Sequence, residues 1–316
     1  MSFSTFLQLV EIKTKLASLF PFLIGVLFSI SYFKQIHWLD TLIFFCAMLV
    51  FDMATTAINN YVDFKKAKSQ RYKYEENIIG QLRLSLPLVR GLIYGMIIVT
   101  IISGLFLAIR SGWPFMLIGG ACCLIGIFYT YGPIPLSRMP LGELFSGFTM
   151  GLGIFLLVIC INVKSQPPFY LQINFATDTF QLGGQITSIL AIILAALPLV
   201  ASIANVMLAN NLRDLDNDIK NHRYTLVYYI GRPSGISLFT FLSLVGYLTV
   251  VIGLIVGIYH WPVLFIFGSL QAIWKNSQQF KQTLPHPKSF GYAIKNLVYM
   301  NISYAVGLLL SIYLYH

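Results

Sequence analysis

The residues best suited to chemistry lie in a short polar stretch that directly follows a long apolar run. The stretch, residues 210–218, reads Asn-Asn-Leu-Arg-Asp-Leu-Asp-Asn-Asp, and the apolar run is 186–209. If a helix continues through it, Asp214 and Asp218 share one face and Asp216 points elsewhere. Two neighbouring carboxylates repel each other unless a cation lies between them. Because Mg²⁺ prefers oxygen ligands and commonly bridges to substrate phosphates, we expect a magnesium site here.

The Asn-Asn-x-x-Asp spacing of this stretch occurs once more, at residues 59–63. This second copy also ends an apolar run and precedes a basic segment. We therefore interpret 59–63 and 210–218 as two motifs of one site. The sequence predicts a single transmembrane domain over residues 1–316, with one motif in each of two pseudo-repeated halves.

A polar stripe also lies within the apolar run that ends in the first motif. Its members are Asp52, Thr56, Asn59 and Asp63. Their spacings of four, three and four residues place them on one face of a helix. A carboxylate inside a membrane span is costly and by default marks a functional cavity. The alternative is that Asp52 forms a structural hydrogen bond with a neighbouring helix.

The composition indicates an all-α, polytopic membrane protein. Of the 316 residues, 57% are hydrophobic and 10% are charged, whereas soluble domains carry about 25% charged residues. Apolar runs of about 20 residues recur, and each is long enough to cross a hydrocarbon core of about 30 Å as a helix. Nine spans are predicted, at 16–33, 40–62, 88–109, 113–131, 142–163, 186–209, 235–257, 261–274 and 296–314.

The basic residues are distributed unevenly between the predicted loops. With the N-terminus in the cytoplasm, 18 of the 21 Lys and Arg residues are cytoplasmic, and only Lys34, Arg110 and Lys164 are external. This distribution satisfies the positive-inside rule and places both motifs at the cytoplasmic face of a bacterial-type plasma membrane. It also indicates that the net charge of +10 serves the lipid bilayer and not nucleic acid.

Together these features match one substrate class. Oxygen ligands can bind one or two Mg²⁺ ions, flanking cations can bind a diphosphate, and a long apolar cavity suits a prenyl chain. Metal ions would neutralise the charge that develops on a leaving diphosphate. Aromatic faces would shield the allylic cation until an electron-rich aromatic acceptor captures it. We therefore expect a polyprenyl diphosphate and an aromatic acceptor as substrates.

The paired motifs resemble the UbiA-type superfamily of intramembrane aromatic prenyltransferases, over about residues 10–315. The branch that prenylates 1,4-dihydroxy-2-naphthoate is the most similar one. That closer similarity rests on the second motif followed by Arg223-x-Thr225-Leu226 and Ile230-Gly231-Arg232, and on Tyr129-Thr130-x-Gly132-Pro133 with Leu141-Gly142-Glu143.

The resemblance implies about nine helices around a central cavity that opens to the cytoplasmic side. It also implies Mg²⁺-dependent, decarboxylating transfer of a polyprenyl group in menaquinone biosynthesis. The implied metal ligands are Asn59, Asp63, Asp214 and Asp218. The implied diphosphate contacts are Asn60, Lys66, Asn211 and Arg213. The catalytic candidates are Asp63, Asp214, Asp218 and Tyr129, the last because it crowds the same rim of the membrane.

The chain departs from the family after the first motif, where the family usually continues as D-[FY]-x-x-G-x-D. The Gly and the second Asp are replaced by Ala67 and Ser69. One carboxylate is therefore missing. Either Glu75 or Glu76 substitutes for it, or Asn59 and the remaining Asp hold the first metal weakly.

Three alternatives stay open from the sequence. The first is a superfamily transferase with another acceptor, such as a hydroxybenzoate, homogentisate or haem. The second is a cation-coupled transporter that uses the buried carboxylates as an ion path, although their clustering at one rim argues against it. The third is a membrane scaffold that has lost catalysis, which is prompted by Ala67 and Ser69.

Overall fold

The apolar runs fold into helices because a backbone in hydrocarbon must satisfy its hydrogen bonds internally. The computed structural model describes residues 1–67, 70–130, 136–220 and 222–315. Its α-helices are α1 (Phe3–Leu9), α2 (Leu16–Ser31), α3 (Trp38–Lys66), α4 (Ile78–Gln81), α5 (Leu86–Ser111), α6 (Trp113–Thr130), α7 (Gly142–Ser146), α8 (Ile154–Asn162), α9 (Ile186–Lys220), α10 (Leu226–Ile255), α11 (Leu270–Thr283) and α12 (Ser289–Tyr315). Shorter helical turns are the 3₁₀ segments Ile12–Lys15, Leu136–Arg138 and Trp261–Ser269, and the π segments Tyr72–Glu76 and Gly147–Gly153.

Six of the described helical segments are long and apolar enough to cross a membrane. They are α3, α5, the combined helix Gly142–Asn162, α9, α10 and α12, and the apolar helices α2 and α6 are shorter. The predicted span 261–274 is divided between a 3₁₀ segment and the first residues of α11. The prediction of a helical, polytopic membrane protein is confirmed, and the count of nine spans stays a prediction.

A β-hairpin between α8 and α9 was not predicted. Strand β1 (Phe169–Asn174) pairs antiparallel with β2 (Thr179–Gly184). Its turn lacks the Asn-Gly or Asp-Gly pair that signals a tight hairpin in a sequence. Instead, the side chain of Asn174 accepts hydrogen bonds from the backbone N–H groups of Ala176 and Thr177, at 3.0 and 3.3 Å.

A buried carboxylate ties the helices together at the end of the bundle that carries this hairpin, called the hairpin end. Asp40 on α3 is 1% exposed. It accepts hydrogen bonds from Arg110 on α5, at 2.7 Å, and from Lys164 after α8. Two of the three basic residues that were predicted to be external therefore neutralise one buried acid.

The helix Gly142–Asn162 packs closely against α9 through two of its glycines. A Cβ atom at Gly147 would lie 2.8 Å from the carbonyl oxygen of Val200 on α9, and one at Gly151 would lie 2.8 Å from its Cα. Small residues four apart permit such contact between membrane helices. The helix Gly142–Asn162 is thereby held at Val200 against α9, the helix that carries the second motif.

Candidate active site

A cavity of about 690 Å³ occupies the space between α2, α3, α5, α6, the helix Gly142–Asn162 and α9. Its wall is mostly apolar, and at the hairpin end it is lined by Phe44, Phe115 and Leu157. At the other end it is lined by Asn59 and Asn210. Phe44 and Asn59 both lie on α3, and the helix between them is about 22 Å long. The cavity is therefore long and apolar with a polar mouth.

The two motifs meet at this polar mouth, which we call the motif end. Asn59 from the first motif and Asn210 from the second line the same cavity. Arg223 forms an ion pair with Asp218, with 3.3 Å between Nη1 and Oδ1. The charge of Arg223 also acts on Asp63 of the first motif. Residues of both motifs thus lie in one region of the molecule.

Asp214 is held by the arginine that precedes it. Arg213 Nε donates to Asp214 Oδ1 at 2.7 Å, and its Nη2 donates to Asp214 Oδ2 and to Asn210 Oδ1. The guanidinium group lies over the ring of Phe290, 5.0 Å from its centroid. Arg213, a predicted diphosphate contact, therefore lies at the cavity mouth beside a predicted metal ligand.

Asp218 is buried, with 4% of its surface exposed. Among the described residues its Oδ2 has no hydrogen-bond partner, nor has Nε of Arg223. The Nη2 of Arg223 donates to the carbonyl of Ser137 at 3.3 Å, which fixes the arginine against the segment before α7. Asp216, by contrast, is exposed and pairs with Arg232 at 3.1 Å. The same helix therefore presents alternate aspartates to the site and to solvent.

Two predicted diphosphate contacts face away from the cavity. The amide of Asn60 donates to the carbonyl of Leu9 at 3.0 Å and to Glu11 Oε1 at 3.1 Å. Asn211 is fully buried, and its amide donates to Glu143 Oε1 at 2.8 Å. Both contacts join neighbouring segments of the chain. They favour structural roles for Asn60 and Asn211 over the predicted contact with a diphosphate.

The remaining predicted residues lie at the motif end. Lys66 is exposed, and its charge acts on Asp63. Tyr129 lines the cavity and donates to Met207 Sδ at 3.2 Å.

Three functional candidates were missed from the sequence. Asn210, and not the predicted Asn211, lines the cavity. Only the rotation of the helix decides which of two adjacent amides faces inward. Glu143 was noted only within Leu141-Gly142-Glu143, yet it is buried, and its Oε2 has no hydrogen-bond partner within the described residues. Arg223 was noted only within the segment Arg223-x-Thr225-Leu226 that resembles the family branch, and its link to both motifs required the fold.

The oxygen donors at the motif end suit a hard cation. They comprise Asn59, Asp63, Asn210, Asp214 and Asp218. Among the described residues, no three His, Cys, Asp or Glu side chains lie close enough together to hold a metal ion. Asp218, however, keeps a buried oxygen with no described hydrogen-bond partner. Such a set of carboxylate and amide oxygens fits Mg²⁺, which also takes ligands from water and from substrate phosphates.

Of the two proposed substitutes for the missing carboxylate, Glu75 is not supported by the structure. Glu75 is exposed and pairs with Arg71 in its own segment, at 3.4 Å. Ala67 caps the end of α3. Ser69 and the side chain of Glu76 lie outside the described residues.

Comparison with known proteins identifies similar chains. A model of the UbiA prenyltransferase family matches residues 18–292. Over 273 residues the chain is 30% identical to the 1,4-dihydroxy-2-naphthoate octaprenyltransferase of Bacillus subtilis (strain 168), which covers 82% of this chain and 76% of that protein.

Solved structures show the same fold. An apo UbiA homologue from Aeropyrum pernix K1 is 15% identical with a TM-score of 0.64, over 94% of this chain and 98% of that one. A UbiA homologue from Archaeoglobus fulgidus, bound to GPP and Mg²⁺, is 11% identical with a TM-score of 0.61, over 96% and 100%.

Proposed function

Because the chain belongs to the UbiA prenyltransferase family, we propose that it transfers a polyprenyl group from a polyprenyl diphosphate to 1,4-dihydroxy-2-naphthoate. Carbon dioxide and diphosphate leave in this reaction, which belongs to menaquinone biosynthesis. One observation carries the proposal: two acidic motifs from distant parts of the chain meet at the mouth of a long apolar cavity. The acceptor is supported by the 30% identity to the Bacillus subtilis octaprenyltransferase.

The cationic residues at the motif end bind and orient the diphosphate. Arg223 has a buried Nε with no described partner, and Arg213 is held at the mouth by Asn210 and Phe290. Arginine suits phosphate because its planar guanidinium presents several N–H donors in a fixed geometry. Lys66 adds a charge near Asp63. These groups hold the diphosphate at the mouth while the apolar cavity takes the prenyl chain.

A divalent metal fits this site. Its ligands would be drawn from Asn59, Asp63, Asp214 and Asp218, with Asn210 added by the geometry. When bound, Mg²⁺ supplies electrostatic stabilisation for the charge that develops on the leaving diphosphate. The Archaeoglobus fulgidus homologue with GPP and Mg²⁺ supports this proposal.

The wall near the mouth is built to shield a carbocation. Tyr129 and Phe290 line the cavity at the motif end, and aromatic faces attract cations. The apolar wall excludes water, which would otherwise capture the allylic cation and yield a prenyl alcohol. Reaction with the aromatic acceptor is favoured for that reason.

We also propose that the motif end faces the cytoplasm. The distribution of Lys and Arg supports this orientation. At the hairpin end, Arg110 and Lys164 are bound to the buried carboxylate of Asp40. Both cations are therefore neutralised by a buried acid, and the predicted external loops carry little free positive charge.

The proposal is tested by activity in membranes that contain the protein. The membranes are incubated with Mg²⁺, a labelled polyprenyl diphosphate and a panel of aromatic acceptors, and products are identified by mass spectrometry. We expect prenylated, decarboxylated product from 1,4-dihydroxy-2-naphthoate. The changes Asp214→Ala and Asp218→Ala are each expected to lower the rate by at least about 100-fold. Asp216→Ala is the matched control on the same helix and keeps most of the activity, because Asp216 faces solvent.

Other results would select the alternatives. Product from a hydroxybenzoate, homogentisate or haem alone would retain the prenyltransferase and change its acceptor. Equal losses in all three aspartate variants would contradict the site. Absence of product with every acceptor, together with ion flux in proteoliposomes, would favour a transporter.

A further inference from the structure

A buried ion pair forms part of the cavity wall, deeper than the two motifs. Asp52 on α3 lines the cavity, together with Ser18 on α2. Lys15, which is 5% exposed, donates from Nζ to Asp52 Oδ1 at 2.8 Å. The hydroxyl of Ser18 donates to the second oxygen, Oδ2, at 2.6 Å. The sequence left open whether Asp52 faces a functional cavity or forms a structural hydrogen bond. In the structure it does both, since it is bonded to Lys15 and Ser18 and also lines the cavity.

The hydrogen-bond donors described around Asp52 are already used. An ammonium group has three N–H donors, and Lys15 directs them to Asp52 Oδ1, the Asp52 carbonyl and Thr56 Oγ1. The hydroxyls of Thr55 and Thr56 donate to the same carbonyl, at 3.0 and 3.1 Å. These groups therefore have no donor left for a ligand in the cavity.

Acceptor capacity, by contrast, remains at this position. An ionised carboxylate has about four lone-pair sites, and the described contacts of Asp52 use one for Lys15 and another for Ser18. Lys15 is the cationic partner of this carboxylate, and a charge in hydrocarbon costs less when it is paired than when it is alone. A prenyl chain has no hydrogen to donate. A ligand that complements this wall must therefore carry a hydroxyl or another donor.

We infer that Asp52 accepts a hydrogen bond from a hydroxyl group of the aromatic acceptor and is a specificity-determining residue of this transferase. The inference rests on the proposed function and deepens it by naming the substrate class, a hydroxylated aromatic ring. Asp52 lies seven residues before Asn59, which is about 10 Å along the helix. The ring is thereby placed between Asp52 and the motif end, where the prenyl group is released.

The acceptor character of Asp52 also sets the orientation of the ring. A carboxylate substituent on the acceptor has no hydrogen to donate to Asp52, whereas Arg213 and Arg223 at the motif end carry N–H donors that suit it. A hydroxyl is favoured at Asp52, and a carboxylate is favoured towards the mouth. The wall therefore selects acceptors that carry both groups on different sides of the ring.

The test measures binding of the acceptor separately from turnover. Purified protein in nanodiscs is loaded with an unreactive prenyl thiodiphosphate and Mg²⁺, and 1,4-dihydroxy-2-naphthoate is titrated by calorimetry. The two mono-O-methyl ethers are titrated in parallel. A hydrogen bond to a charged group contributes enough that its loss weakens binding by about 10- to 100-fold. For wild-type protein we expect such a loss with one of the two ethers.

The variant Asp52→Asn identifies the residue responsible. We expect it to bind the free dihydroxy acid about 10- to 100-fold more weakly and to distinguish the sensitive ether from the free hydroxyl much less than the wild type does. Affinity for the prenyl thiodiphosphate is expected to stay unchanged. Because Asp52→Asn leaves Lys15 unpaired, the double variant Lys15→Met with Asp52→Asn serves where the single variant does not fold. Removing both charges is tolerated better than removing one.

Asp40→Asn is the matched control. It also breaks a buried ion pair on α3, but Asp40 lies at the hairpin end and pairs with Arg110 and Lys164. It is expected to reduce stability without changing affinity for the acceptor. Equal discrimination between hydroxyl and ether in wild type and in the Asp52 variants would overturn the inference, as would failure of wild-type protein to bind any hydroxylated ring. Tight, Asp52-dependent binding without turnover would leave the inference standing and refute the proposed reaction.

Discussion

At the residue scale, adjacent amides in the second motif have different environments. Asn210 lines the cavity, whereas Asn211 is fully buried and donates to Glu143 at 2.8 Å. The second carboxylate oxygen of Glu143 has no hydrogen-bond partner among the described residues. Asn211 therefore provides the described donor to a buried acid, and its side chain joins α9 to α7.

A double-mutant cycle tests this contact. Asn211→Ala is expected to lower the free energy of unfolding by about 1–3 kcal/mol, because it leaves a buried carboxylate without its donor. Combining it with Glu143→Leu should cost less than the sum of the single changes, since the partner that needed the amide is also removed. Unfolding in detergent followed by circular dichroism provides the measurement.

The neighbouring residue supplies the control. Asn210→Ala is expected to reduce activity while unfolding at nearly the wild-type temperature, because Asn210 faces the cavity. Additive effects of Asn211→Ala and Glu143→Leu would contradict the predicted coupling.

The limits of the sequence at this scale follow from helix geometry. Spacing of four residues predicted that Asp214 and Asp218 share a face and that Asp216 does not, and their exposures agree. Spacing cannot tell which of two adjacent residues faces a cavity, because that depends on how the whole helix is rotated by packing. Asn59 with Asn60 and Asn210 with Asn211 were ambiguous for this reason.

At the scale of elements, hydropathy predicted the long apolar helices, because a backbone in hydrocarbon satisfies its hydrogen bonds internally by forming helices. The predicted run 186–209 became α9, which continues to Lys220. It carries the second motif as the last turns of a rigid helix. The β-hairpin and the π segment Gly147–Gly153 were not predicted, because both depend on local backbone hydrogen bonds that leave no apolar pattern.

The glycines of that π segment offer a test of helix packing. Gly151→Leu would force a side chain into the backbone of Val200, which lies 2.8 Å from a Cβ at this position. We expect a loss of at least about 1–3 kcal/mol in the free energy of unfolding. Activity should fall as well, because Glu143 and Asn211 are held together by the same contact between helices.

A second glycine shows whether the effect comes from packing. A Cβ atom at Gly95 on α5 would meet no other described atom within 4 Å. Gly95→Leu therefore adds the same side chain without a clash and is expected to unfold near the wild-type temperature. Because leucine favours a helix more than glycine does, equal destabilisation by both changes would contradict close approach as the requirement at Gly151.

At the scale of the whole molecule, the cavity is a property of the assembled bundle. Its wall combines side chains from helices that are distant in sequence, from Ser18 on α2 to Phe290 on α12. The sequence predicted its polar mouth, because the motifs are local, and its apolar character, because the spans are apolar. Its depth could not be predicted, since depth depends on which side chains happen to pack at the hairpin end.

That depth is expected to determine the length of the prenyl group. Ala108 lines the cavity near the hairpin end, and Ile109, the next residue on α5, is 87% exposed on the outer surface. Ala108→Phe would fill the far end of the cavity and leave the mouth intact. We expect kcat/KM for octaprenyl diphosphate to fall at least about tenfold relative to geranyl diphosphate, because the longer chain loses part of its apolar contact. Ile109→Phe adds the same ring on the surface that faces lipid, so its preference between the two substrates should match the wild type.

Two outcomes would contradict this prediction. A similar fall in kcat/KM for both substrates in Ala108→Phe would mean that the ring distorts the mouth. A similar fall in kcat/KM in both variants would show that the far end of the cavity does not receive the prenyl chain.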